Sequence, residues 1–369
     1  MKNQIPVIIT FVAVIFSFLL AQEAPMGAQT GASVRELKTL VSLKGNINGK
    51  IVWSTSRSNS RHDLWIMNAD GTDQKQLTRG DEVDWYPRFS PDGNRVLFTR
   101  SKCGWVPESE ANVYSKWNTW IFDLDSNTER LIAEDCVWAT WRPSGDSVVF
   151  ARGAKVFIKD LKTGGEEEIF DAESRFKKGV YSQQPILSKD GDLLAVAFRG
   201  TMRDAGIWNL KTNLWNSTGM DGCYMEFFPD CKRILQVIRG QGNGGTEIVC
   251  LNLNKEGKPL EKFNGMTVLK NIIFMDLPGS RSHEYCPKLD HAGKWMVWCS
   301  TQYSDEIDVY DYEIYLWNIF SYDFNSAIRL TFHSANDRWP DIFTGVSVKK
   351  GPDIRKTELP VPDSSHKTP

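Results

Sequence analysis

His283 and Glu284, Asp84 and Trp85, and the run Asp337, Arg338, Trp339 each stand just before a short apolar stretch in a chain of 369 residues. An imidazole gathered with several carboxylates can hold a metal ion or serve as acid and base. Trp138, Gln184 and Tyr224 occupy matching places before three further stretches, so six strand starts would contribute to one cluster if the strands converge. Polar and aromatic residues at strand starts also form turns and cover a core, which is the simpler use of the same residues. A second acidic group, Asp305, Glu306, Asp308, Asp311 and Glu313, offers the oxygen ligands calcium prefers. It lacks the glycines and ordered alternation of a calcium loop, and a solvated loop suffices. A third group lies in NLNKEGKPLEKFNGM (252–266), where Lys255, Glu256, Gly257, Lys258, Glu261 and Lys262 form a polar interval between two apolar strands. Charged side chains in such number cannot all pack on a sheet, so this loop is expected to project and meet a partner. No Gly-x-Ser-x-Gly, His-Glu-x-x-His, Walker or dinucleotide motif occurs, and GQGNGG (240–245) reads as a hairpin loop because no amphipathic helix follows it.

The elements that must position these residues are hairpins. In SPDGNRVLFTR (90–100), Pro91 presets a turn φ, Asp92 accepts from nearby backbone and Gly93 tolerates the left-handed region. WYPRFS before it and RVLFT after it are aromatic and β-branched, hence strands. Related phrases return at TWRPSGDSVVFAR (140–152), PILSKDGDLLAVAF (185–198), EFFPDCKRILQVI (226–238) and PKLDHAGKWMVWCS (287–300). Their spacing of about 40 to 60 residues is that of four-stranded propeller blades. Between them lie strand–turn–strand phrases such as DLWIMNADGTDQKQLT, NTWIFDLDSNTERLI and KVFIKDLKTGGEEEIF. Two hairpins make a blade, and blades with apolar faces stack radially. The expectation is an all-β fold: one β-propeller of four-stranded blades spanning 48–345, six counted, with a seventh possible only through residues 33–43. WPDIF (339–343) lacks a following hairpin while IVWSTS (51–56) lacks an inner strand, so the two ends should share one blade.

Composition bounds the function. A net charge of −2 gives no basic surface for nucleic acid. Lys2, the apolar run 5–20 and Ala21 follow the order of a secretory signal peptide, expected over 1–21, which leaves an exported chain with no membrane span after removal. Residues 22–47 read as a leader and 346–369 as a flexible tail. Seven cysteines contain no Cys-x-x-Cys and no Cys-x-x-Cys-His, so neither a zinc ribbon nor a covalently attached c-type haem is expected on this chain. Cys223 and Cys231 should cap opposite ends of one strand, about 25 Å apart at roughly 3.3 Å per residue, too far for a disulfide. Cys223 with Cys286 is the preferred pair, and an odd count leaves at least one thiol free.

The SPDG hairpins together with LWIMNADGT resemble the TolB-type, or PD40, propeller repeats, and the likeness covers 51–343. The separate N-terminal domain of TolB itself is not expected here, which speaks against a Tol-system role. As a whole chain it is similar to the β subunits of hydrazine synthases from anaerobic ammonium-oxidising bacteria. That likeness implies seven blades, no cofactor on this chain, haem-bearing α and γ subunits as partners, and a periplasm-like compartment, the anammoxosome. It implies a non-catalytic subunit of a complex that makes hydrazine from nitric oxide and ammonium. Two other classes stay open: a TolB-like envelope scaffold, and a lyase or hydrolase of acidic oligosaccharides using His283, Glu284, Asp337 and Arg338.

Overall fold

A computed structural model of the chain describes residues 32–58, 61–239, 245–261, 272–277, 283–301 and 311–345. The expected signal segment, GQGNG of 240–244, Lys262 to Met266, the acidic residues Asp305, Glu306 and Asp308, and the tail from 346 lie outside them.

Six four-stranded antiparallel sheets make a six-bladed β-propeller. The closing blade runs, inner to outer, Asp337–Thr344, Gly49–Ser58, Arg61–Asn68, Lys75–Gln76, so the C-terminal strand is the inner strand of the blade that the N-terminal strands complete. Its register, Gly49 opposite Thr344 and Thr55 opposite Asp337, joins the two ends by backbone hydrogen bonds and removes the open edges each would otherwise present. The other blades follow in chain order with inner strands Asp84–Phe89, Val137–Trp141, Val180–Leu187, Gly222–Phe227 and Glu284–Leu289. The apolar runs read from the sequence fill the space between sheets: Trp53, Phe98, Phe150, Phe198 and Trp298 are all fully buried. Each such side chain contributes about 1.5–3 kcal/mol relative to exposure, and together they oppose the ordering of nearly three hundred residues.

The turns form as their residues dictate. Gly93 has φ +76, and in the same turn Ser90 Oγ and the Asp92 carboxylate take up the neighbouring backbone N–H groups of Arg95 and Asn94.

Two expectations need correction. A seventh blade does not form: residues Val34–Leu43 are a helix, started by a Ser33–Glu36 capping box. The helix lies across the seam between the last blade and the closing one. Glu36 pairs with Arg329 at 3.0 Å, Leu40 reaches the Gly71 and Leu330 contact, and Gly45 N–H donates to Asp70 at 2.7 Å. The Cys223–Cys286 disulfide is absent; all seven cysteines are free thiols. Cys223 does start the strand Gly222–Phe227, with Cys231 in the turn beyond its far end.

Candidate functional site

Every inner strand carries the same irregularity near its start. The pairing register slips by one residue between Trp85 and Arg88, Val137 and Thr140, Gln183 and Ile186, Cys223 and Glu226, Tyr285 and Lys288, and correspondingly beside Trp339. At each slip one residue adopts left-handed backbone: Tyr86 (φ 56), Trp138 (59), Gln184 (53), Tyr224 (47), Cys286 (58) and Trp339 (51). Bulky side chains there are strained, and a bulge re-aims the residue it contains. Repeated around a ring, the bulges turn six side chains toward one centre.

That centre is filled by aromatic rings. Trp138 stands edge-on to Tyr86 at 5.1 Å and to Tyr224 at 6.3 Å, while Trp339 donates from Nε1 to the Tyr224 hydroxyl at 3.2 Å. Trp85 stacks on Trp117 at 4.4 Å and meets Trp339 edge-on at 5.1 Å. Gln184 accepts the Tyr224 backbone N–H at 2.8 Å. Of the six predicted strand-start sets, Trp138, Gln184, Tyr224 and Trp339 are thus brought together. Tyr86 and Cys286 complete the ring.

The predicted carboxylates sit two residues earlier, buried between blades and already engaged. Asp84 accepts from Arg100 Nε and Nη2, both at 2.7 Å, and burial raises its pKa against the lowering effect of that guanidinium. Asp337, fully buried, accepts from Arg57 at 2.7 Å and from Trp53 Nε1 at 3.2 Å. Glu284 is fully buried and accepts from Ser300 Oγ at 3.2 Å. His283 lies parallel to Tyr285 with ring centres 6.2 Å apart, and burial lowers its pKa. From the second acidic group, Glu313 accepts from Thr331 Oγ1 and from the His333 backbone at 2.9 Å. Asp311 has its pKa pushed up to about 6, by burial first and Asp337 second. Among the described residues no set of three or more His, Cys, Asp or Glu side chains is arranged to hold a metal ion, and no helix is long and apolar enough to cross a membrane.

Sequence reasoning missed three features. His62, from the third strand of the closing blade, packs edge-on to Trp339 at 5.3 Å, and burial together with Arg338 lowers its pKa to about 3. Below the bulges, a charged layer holds Arg88, Glu226, Lys288 and Asp341: Lys288 pairs with Glu226 at 2.5 Å, and Arg88 lies 3.7 Å over the Tyr86 ring. Above them, the connection 102–116 folds across the mouth. It leaves the second blade, yet Tyr114 OH donates to the Ser182 carbonyl at 2.8 Å, Asn112 accepts from Gln183 at 2.8 Å, and Glu108 pairs with Arg338. Those contacts fall on inner strands of the fourth and closing blades, so the connection caps the channel.

The loop after Asn252 lies on the opposite face. Asn252 is paired with Arg233 beside the turn at the lower end of its blade, whereas the mouth residues begin the inner strands at the upper end. Its described backbone, 252–261, packs against the preceding blade. Asn254 N–H donates to the Lys258 carbonyl at 2.9 Å, and the Glu256 carbonyl accepts from Asn216 of the preceding blade at 2.8 Å. Gly257 (φ +79) is buried so tightly that a Cβ there would stand 2.7 Å from Ile207. Lys255, Glu256 and Lys258 keep exposed side chains, while Glu261 turns back to accept from the Asn252 backbone at 3.0 Å.

No protein-family model matches the chain. Curated relatives match in part: an uncharacterized protein of Agrobacterium fabrum is 27% identical over 150 residues, and the Tol-Pal system protein TolB of Gluconobacter oxydans 26% over 137. These matches cover 36% and 34% of this chain and span 46% and 28% of the relatives' own length. The crystal structure of TolB from Acinetobacter baumannii superposes with TM-score 0.55 at 15% identity, over 84% of this chain and 73% of that one. Putative TolB from Agrobacterium tumefaciens gives 0.51 at 12%, over 82% and 99%. The fold is a TolB-type β-propeller. Hydrazine synthase from Kuenenia stuttgartiensis is also similar, at 12% identity and TM-score 0.42 over 70% of each chain, a likeness too distant to carry a function. The TolB-type ring differs from an open channel in having its mouth plugged by the aromatic bulges and capped by 102–116.

Proposed function

We propose that this chain is an exported, protein-binding propeller that works as a non-catalytic subunit or scaffold. One observation carries the reading: the acidic side chains at the mouth are consumed by the fold. Asp84 and Asp337 are buried and each bound to a partly buried arginine, and aromatic side chains fill the space that a substrate ring would need. A lyase or hydrolase acting through His283, Glu284, Asp337 and Arg338 would require those groups to face a common space, and Asp337 and Arg338 instead hold separate partners, Arg57 and Glu108. Propellers present broad, rigid rims, and the exposed Trp105 on the cap is the kind of side chain that anchors interfaces.

Within that class, the proposed partners are haem-bearing α and γ subunits, with the hydrazine-forming chemistry on their side and the anammoxosome as the compartment, a reading supported by the resemblance seen in the sequence. A TolB-like envelope scaffold is the other member of the class. Tagged protein recovered from its native organism, with a haem stain of whatever co-purifies, separates them. Haem-staining partners support the synthase assembly; abundant partners without haem support the envelope scaffold. A chain recovered alone, turning over an oligosaccharide, would overturn the proposal. The purified chain itself is expected to show no Soret absorbance.

A further inference from the structure

We propose that the capped mouth is a carboxylate-binding site for an acidic segment of a partner protein, and that Glu108 of the cap occupies it in cis. The inference rests on the protein-binding reading above and specifies its recognition chemistry.

Arg338 is the centre of the site. Its side chain is 11% exposed and lies over the faces of Trp339 at 4.3 Å and Tyr312 at 4.8 Å. Its two terminal nitrogens meet the two oxygens of Glu108, Nη2 to Oε1 at 3.1 Å, and its Nε has no hydrogen-bond partner. This is the fork geometry by which a guanidinium recognises any carboxylate, held rigid here by aromatic walls. A cation so deeply placed cannot be left without a counter-charge at small cost, so the site demands a carboxylate at all times.

Glu108 supplies it from an unusual place. The equivalent connection in the third blade is only Gly153 and Ala154, and in the fourth it is 201–203, whereas 102–116 runs across the mouth to reach Arg338. Glu108 is itself 43% exposed, on a one-turn 3-10 segment, Glu108–Glu110, in which no residue is buried. Val106 and Ala111 are the buried apolar side chains of the cap, a modest anchorage, while its far end is held by Tyr114 and by Lys102 N–H donating to the Lys116 carbonyl at 2.8 Å. An incoming carboxylate can therefore take the Arg338 fork as Glu108 leaves it, with no charge stranded at either stage. Trp105, 61% exposed on the cap, and the half-exposed Val113 give the incoming segment apolar contacts beside the charge.

The test uses the mature chain with hexaglutamate, hexaglutamine and glutarate as probes, read by titration calorimetry, and a nitroxide on the exposed Cys103 to report cap motion. Glu108→Gln is expected to lower the melting temperature, because it leaves Arg338 without its counter-charge, to regain it with saturating hexaglutamate, and to raise hexaglutamate affinity at least tenfold over wild type. Hexaglutamine should not bind, Arg338→Gln in the Glu108→Gln background should abolish the gain, and saturating hexaglutamate should loosen the Cys103 label. No gain in Glu108→Gln, or a gain that survives loss of Arg338, overturns cis occupancy. Glutarate binding as tightly as hexaglutamate overturns the protein segment as occupant. A chain that co-purifies with partners yet fails these assays sinks this inference alone, and a chain that binds hexaglutamate through Arg338 but co-purifies with nothing sinks the scaffold reading alone.

Discussion

Asp337→Asn tests the joint between the chain ends. Asp337 belongs to the C-terminal inner strand and Arg57 to the N-terminal strand paired with it, and their side chains meet at 2.7 Å with 0% and 8% exposure. Arg57 also donates to Gln74 at 2.7 Å and lies over Trp53 and Trp65, so it cannot leave for solvent when its counter-charge is removed. Breaking one side of a buried pair costs about 3–5 kcal/mol. The amide preserves shape and an oxygen for Trp53 Nε1, which places Asp337→Asn near ~3 kcal/mol. In a domain of this size that lowers the melting temperature by roughly 6–12 °C, at about 2–4 °C per kcal/mol. Arg57→Met strands the carboxylate instead and should cost at least as much. The double variant strands neither, so its loss should fall short of the sum of the singles by about 2 kcal/mol. Urea unfolding followed by tryptophan emission measures all three. A loss under about 0.5 kcal/mol for Asp337→Asn, or strict additivity in the double variant, refutes the account of the joint.

Removing residues from 337 onward should unfold or aggregate the whole domain, since it opens two sheet edges, and a soluble, cooperatively melting product on calorimetry would contradict closure by shared strands. Gly257→Ala should cost roughly 1–3 kcal/mol, for the left-handed backbone and the 2.7 Å approach to Ile207, whereas Lys255→Ala should change the melting temperature little. For the same reason, exchanging 254–261 for a short Gly-Ser turn should destabilise the fourth and fifth blades rather than leave melting unchanged. Asp63 has its pKa pushed up to about 7, by burial first and the nearby Asp84 second. A raised folded pKa means that its contribution is fully present below the unfolded value and is lost as pH rises through about 7, so Asp63→Asn should flatten the fall in stability between about pH 4 and 7 seen in wild-type unfolding curves.

The hairpins were legible because their signals are local: Pro91-Asp92-Gly93 and its counterparts specify turns within a few residues, and the unmatched phrases at the two ends pointed to the shared blade. The mouth was only half legible. Position along each strand start could be read, but the sign of φ could not, since Tyr86, Trp138, Gln184, Tyr224, Cys286 and Trp339 share no side-chain type that favours the left-handed region. A faint signal existed in the proline that follows four of them, at Pro87, Pro185, Pro287 and Pro340, which disfavours right-handed helical backbone in the preceding residue. The arginines that neutralise Asp84 and Asp337 were not legible, because they come from neighbouring strands: register sets Arg100 opposite Asp84, and Arg57 reaches Asp337 from two residues beyond its partner Thr55. In the described part of the loop, 252–261, the backbone and Gly257 make the contact with the preceding blade, and charge composition carries no information about them.

The six bulges also explain why the cap matters more than the channel. Each bulge points its residue inward whatever that residue is, so the width of the channel is set by side-chain volume at six positions. With two tryptophans, two tyrosines, a glutamine and a cysteine there, the rings touch one another and the polar atoms of Gln184 and Tyr224 are spent on holding them in place. A ligand gains no room by entering. Recognition then has to occur above the plug, where Arg338 emerges between Trp339 and Tyr312 and where the only chain covering it is the connection 102–116 among the described residues. Specificity at this mouth therefore depends on exchanging one carboxylate for another at a fixed guanidinium, a function that changes in the cap sequence can tune without disturbing the ring.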